Sequence, residues 1–228
     1  LISDAMLANV LAEVLDAGED LGPSFFEVAI AAAFLAFSRV PADACVVEVG
    51  MGGRFDATNV LEPEALAACG IAALGLDHER FLLAPEEGVP TEPMARIAFE
   101  KAGIAKRDVP LVTMGDTYPP EAQAAVAAVA ASAGASLHPA TALPPTPLGL
   151  PGRHQAHNAA LAVAMLRNHQ GWIGVLVAAL GFGSALMLSW GLRAAAVSFA
   201  PILAMVFALA WPPQPLAVVV LSGASGIA

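Results

Sequence analysis

Between residues 44 and 139, short apolar runs alternate with helix-length segments, and this alternation restricts the chain to few architectures. "ACVVEV" is β-branched, with Pro41 upstream and glycines downstream, and reads as a buried strand. "GIAALGLDH" reads as a second strand ending in charged residues, "VPLVTM" as a third and "ASLHPA" as a short fourth. Between them, "TEPMARIAFEKAGI" predicts a helix capped by Thr91 and stopped by Gly103, and "PPEAQAAVAAVAASAG" a surface helix opened by proline. Strands separated by helices of this length pair in parallel, so the expected class is α/β, a mainly parallel sheet flanked by helices. Ligand-handling groups in such sheets gather beyond the carboxyl ends of the strands. Both "EVGMGGRFDATN" and "LDH" lie there.

Two helical patterns come first. Met6, Leu7, Val10, Leu11, Val14 and Leu15 recur at helical spacing and stop before Gly18, which predicts an amphipathic helix over residues 4–17. Ser24 and Glu27 stand at capping-box spacing at the start of "SFFEVAIAAAFLAFSRV", a second helix apolar nearly all round and expected to be deeply buried. The opening "LISDAMLANVLAEVLDAG" has no basic stretch followed by an apolar core and is not a signal peptide. Because it begins without Met, directly on a helical pattern, the true start of the chain is expected to lie upstream.

Charge excludes one partner class. Twenty Asp and Glu face ten Lys and Arg with no basic stripe, so no nucleic acid is expected. Cys45 and Cys69 sit inside apolar runs and read as small buried hydrophobes.

The stretch "GMGGRFDATN" fails the phosphate-loop pattern, since its glycines lead to Arg54 and Phe55 instead of Gly-Lys-Ser/Thr. It also lacks dinucleotide-loop spacing, because Gly50, Gly52 and Gly53 are not arranged G-x-G-x-x-G. Glu48, inside an otherwise apolar strand, raises the stretch above a plain turn. A carboxylate there needs a partner, and a magnesium ion and an ion pair with Arg54 are both open.

Five blocks, "SFFEVAIAAAFLAF", "VVEVGMGGRFDATNV", "LGLDH", "IAFEKAGIAK" and "LPGRHQAHNAALA", occur in this order. Over residues 3 to 169 they resemble the folylpolyglutamate synthase and dihydrofolate synthase family of the Mur-type ligase group. The resemblance implies an ATP- and magnesium-dependent amide ligase that joins glutamate to a folate or dihydropteroate carboxylate through an acyl phosphate. By the same resemblance, Glu48 ligates one magnesium and His78 a second, and Lys101 is a catalytic lysine carbamylated in many members. Arg54, a catalytic candidate beside Lys101, belongs with Asp56 and Asn59 to the pterin and metal surroundings; Asp56 and Asn59 are cofactor-binding candidates with Asn158, which bonds the adenine ring. An ordinary capped histidine and an ordinary surface lysine are the plain alternatives for His78 and Lys101.

Three departures bear on activity. The family's phosphate loop is expected upstream of residue 1, so this chain should bind ATP poorly. The segment between the His and Lys blocks, "ERFLLAPEEGVPTEPMARIAFE", is longer than in the family. After residue 170 the resemblance ends, and from Trp172 to Ala228 Arg193 is the only charged residue. Uncharged runs over 172–192 and 194–211, with Trp172, Trp190 and Trp211 near their ends, predict two membrane helices and part of a third ending in "VVVLSGASGIA", with a buried core hairpin as the plain alternative.

The expected organisation is therefore a ligase segment over 1–170, cytoplasmic and monomeric, followed by an apolar helical tail over 171–228 in contact with a membrane. The tail has a loose likeness to bacterial membrane transporters. The alternative function is accordingly that of a membrane transporter or anchored protein acting through 172–228, with a fusion or frameshift near Gln170 as the expected origin of the join.

Overall fold

The computed structural model describes residues 2–40, 44–145 and 148–168, and the backbone of 217–222. The chain divides into two compact units, residues 1–43 and 44–228.

The first unit is a helix pair. α1 (Asp4–Ala17) begins where the Ser3 hydroxyl accepts the Met6 N–H and ends where the Gly18 N–H reaches the Val14 carbonyl. α2 (Phe25–Arg39) carries the expected capping box, with Ser24 and Glu27 satisfying each other's backbone N–H groups. Val10, Ala32 and Ala36 form its small core, with Met6, Leu11, Val14 and Leu35 packed around them. Deep burial of α2 is not found. Only Val28, Ala32 and Ala36 are buried in it, and Phe25 is 90% exposed. Alanines make much of this helix apolar without giving it the bulk that a fully buried helix would fill.

The second unit is built on a five-stranded parallel sheet of order β1-β5-β2-β3-β4. Its strands are β1 (Ala44–Glu48), β2 (Leu66–Ile71), β3 (Pro110–Thr113), β4 (Ser136–Pro139) and β5 (Ala217–Ser222). Among the described residues its helices are a single turn α3 (Glu79–Leu82), α4 (Pro93–Ala102), α5 (Pro120–Ala133) and α6 (Gln155–Asn168). Consecutive residues of β2 from Ala67 to Ile71 are all buried, as are all four of β3. Neighbouring side chains on a strand point to opposite faces, so both faces of the sheet are covered there. α6 lies against β2 and β3, while α4 and α5 pack side by side. β4, with only His138 partly sheltered, is the exposed edge.

Three readings of the sequence change. The second strand is "LAACGI", four residues earlier than "GIAALGLDH", which leaves "LDH" on a loop instead of a strand end. The cap of α4 is Glu92, whose carboxylate accepts the Ala95 N–H at 2.6 Å, and Thr91 lies outside. The third correction concerns the tail. Residues 217–222, expected to begin a third membrane helix, form β5 between β1 and β2, with Glu48 level with Leu221 and Ile71 level with Ser222. A parallel strand paired on both sides is a continuous apolar run, and in an apolar neighbourhood it cannot be told from a membrane segment by hydropathy. The helices expected over 172–192 and 194–211 lie outside the described residues. Among the described residues no helix is long and apolar enough to cross a membrane.

Candidate functional site

The carboxyl ends of β1 and β2 each run into a loop that carries the chemistry read from sequence. After β1 the chain turns through Gly50–Asp56 into a 3₁₀ turn, Ala57–Val60. Asp56 organises this turn. One of its oxygens accepts the Thr58 N–H at 2.9 Å and the Thr58 hydroxyl at 2.7 Å, and the other accepts the Met51 N–H at 2.9 Å. Asn59 braces it from the far side, its amide donating to the carbonyls of Arg54 at 3.0 Å and Gly103 at 3.1 Å. The Lys106 ammonium donates to the Asn59 carbonyl at 3.0 Å.

The end of α4 presses directly onto this turn. The Arg54 N–H bonds the Glu100 carbonyl at 2.9 Å. A Cβ on Gly53 would meet the Lys101 carbonyl at 2.8 Å, and one on Gly103 would meet the Arg54 Cβ at 2.4 Å. Glycine on both sides is what allows the two backbones to approach so closely.

Arg54 does not pair with Glu48. Its guanidinium donates to Glu100 and Glu86 and lies over the rings of Phe55 and Phe99, 4.2 and 4.9 Å from their centroids. Bonding to Glu86, then to Glu100, raises its pKa against an opposing desolvation; the Glu86 carboxyl in turn is lowered by Arg54. Glu48 is exposed at the last position of β1, so its carboxylate remains in water and the partner its apolar setting demanded is not needed.

Beyond β2, the Tyr118 hydroxyl fixes the edge, accepting the Met114 N–H at 3.1 Å and donating to the Ile71 and Ala72 carbonyls. Burial raises its pKa. The loop then leads to Asp77 and His78. His78 is exposed and sits at φ +48°, a left-handed conformation uncommon outside glycine, with no side-chain capping bond. Both carboxylate oxygens of Asp77 are buried and accept no hydrogen bond. Lys101 is not a surface lysine. It is 2% exposed, and burial lowers its pKa against the opposing charge of Asp77. Asn158 lies half-buried in the first turn of α6, its amide donating to Gln155 at 3.2 Å.

Among the described residues, no three His, Cys, Asp or Glu side chains gather where they could hold a metal ion. Glu48 offers an exposed carboxylate, the hard oxygen donor that magnesium takes. Sequence reasoning overlooked Asp77, Glu86, Arg96 and Glu100. The Arg96–Glu100 pair has i,i+4 helical spacing and is legible in principle; nothing in the local sequence separates Asp77 from the histidine beside it.

No protein-family model matches the chain. Folylpolyglutamate synthase of Arabidopsis thaliana is 38% identical over 148 residues, 63% of this chain and 24% of that protein. The chain spans about a quarter of the length of the curated relatives it matches. The crystal structure of bifunctional folylpolyglutamate synthase/dihydrofolate synthase from Yersinia pestis superposes with a TM-score of 0.56 at 25% identity, covering 72% of this chain and 41% of that one. An FPGS–AMPPCP complex superposes with a TM-score of 0.56 at 25% identity, covering 93% and 52%. Sequence and fold thus converge on one group, and the chain belongs to the folylpolyglutamate synthase and dihydrofolate synthase family, of whose central domain it carries a segment.

Proposed function

We propose that this segment supplies part of the metal- and substrate-facing surface of an ATP- and magnesium-dependent ligase that adds glutamate to a folate or pteroate carboxylate through an acyl phosphate. The observation that carries the reading is Glu48. It is an exposed carboxylate at the carboxyl edge of the sheet, directly before a turn whose other polar groups are braced internally. Magnesium, when bound with nucleotide, neutralises the charge that gathers on a transferred phosphoryl group.

Glu48 would hold that ion. His78 and Lys101 are the candidates for a second, and depression of the Lys101 pKa favours the free amine from which a carbamate forms. Asn158 would meet the adenine ring. Asp56 and Asn59 act by fixing the turn that sets Glu48 and Arg54 in place. The AMPPCP bound in one structural neighbour supports a nucleotide as the ligand.

The test is calorimetric titration of AMPPCP into the chain with and without magnesium. Glu48→Gln should weaken magnesium-dependent binding by about tenfold, on the order of 1.4 kcal/mol. Equal affinity in the two proteins would remove Glu48 from the metal seat.

A further inference from the structure

Two arginines and two glutamates close a ring between the glycine turn, α4 and the loop joining α3 to α4. Glu100 accepts from Arg54 Nε at 3.1 Å, Arg54 Nη2 at 3.0 Å and Arg96 Nε at 2.9 Å. Glu86 accepts from Arg54 Nη1 at 3.0 Å, from Arg54 Nη2 and from Arg96 Nη2 at 2.9 Å. The two halves are unequal. The side chains of Glu100 and Arg96 are 5% and 7% exposed, while Glu86 is 39% exposed. Glu100 stands on a packed helix. Glu86 stands on a connecting stretch, Leu83 to Glu92, that contains neither helix nor strand.

The guanidinium plane of Arg54 is fixed without Glu86, because Phe55 and Phe99 flank it and Glu100 holds its Nε. It therefore presents a ready fork to a carboxylate, the geometry that arginine recognises in a bidentate manner. With Glu86 in place the ring holds two positive and two negative charges. Without it, one positive charge is left over in a half-buried setting that screens it poorly, so departure of Glu86 requires another anion to enter.

We propose that Arg54 and Arg96 form a carboxylate-binding seat which the chain fills with its own Glu86, and that a small glutamate-type carboxylate displaces Glu86 and frees the 83–92 loop. The existing occupant argues for carboxylate over phosphate: both oxygens of Glu86 are engaged by the planar Arg54 fork. Nucleotide binding is measured alongside.

The probe is glutarate, titrated into the full chain at constant ionic strength, with inorganic phosphate as the second arm. Glu86→Gln, which keeps the shape of the internal occupant and removes its charge, should bind glutarate about tenfold tighter than the parent and phosphate no tighter. Unchanged glutarate affinity would overturn the proposal, and an equal gain for both anions would overturn the preference for carboxylate. Limited proteolysis of the parent supplies a measurement that needs no variant. Glutarate should speed cleavage within residues 83–92, and an unchanged rate would count against displacement. AMPPCP affinity unaltered by Glu86→Gln separates a failure here from a failure of the ligase reading.

Discussion

The two loops at the carboxyl edge of the sheet are built in opposite ways. After β1, Asp56 and Asn59 are each tied to the turn itself or to α4. After β2, His78 stands exposed in a left-handed backbone conformation and Asp77 has two buried oxygens with no hydrogen bond. A polar side chain fully engaged in shaping a turn has little left to offer a ligand. One left unsatisfied is a standing cost that a folded chain tolerates mainly where something else meets it. The difference teaches that chemical type alone does not identify a ligand-facing group. Asp56 and Asn59 have the right chemistry and serve as braces, whereas Asp77 has the same chemistry and is unmet.

The comparison breaks most visibly at the contact between the first loop and α4. Gly103→Ala would put a methyl 2.4 Å from the Arg54 Cβ and 2.6 Å from its Cα, where backbone has to move. Overpacking of this kind should lower stability by about 3 kcal/mol, read from urea unfolding followed by circular dichroism. A loss below about 1 kcal/mol would mean that the turn yields easily and is not a rigid brace. Asp56→Ala comes next. It removes the acceptor for two N–H groups and the Thr58 hydroxyl at a buried site, and should cost about 2 kcal/mol in the same measurement.

Much of this frame is legible in the sequence. The α2 capping box, the Gly18 and Gly103 stops and the runs forming β1, β3 and β4 are local signals, and local signals survive folding. β2 reads late in sequence because "LAACGIAALGL" carries no charge, and its glycines, Gly70 inside the strand and Gly75 beyond it, do not mark where pairing ends. β5 was out of reach for a different reason. Its place between β1 and β2 is a property of pairing across more than 140 residues of sequence, which no local pattern encodes. At the site, the "EVGMGGRFDATN" and "LDH" segments were found, but the division of work within them was not. Whether a carboxylate braces a turn or faces outward depends on which N–H groups the fold brings to it, as Asp56 and Asp77 show.

The smallest expected effect is the most discriminating. Asp77→Asn keeps the shape of the side chain and removes the charge from oxygens that accept no hydrogen bond. If Asp77 is kept for a ligand, the interaction of that charge among the described residues is its attraction for Lys101, which opposes the lysine's desolvation. Losing that attraction and relieving the buried carboxylate act in opposite directions. Stability should therefore change by less than about 0.5 kcal/mol, in contrast to Asp56→Ala in the sister loop. Magnesium-dependent AMPPCP binding, measured on the same protein, should fall. A large loss of stability with binding intact would show that Asp77 is a brace like Asp56, and the contrast between the two loops would disappear.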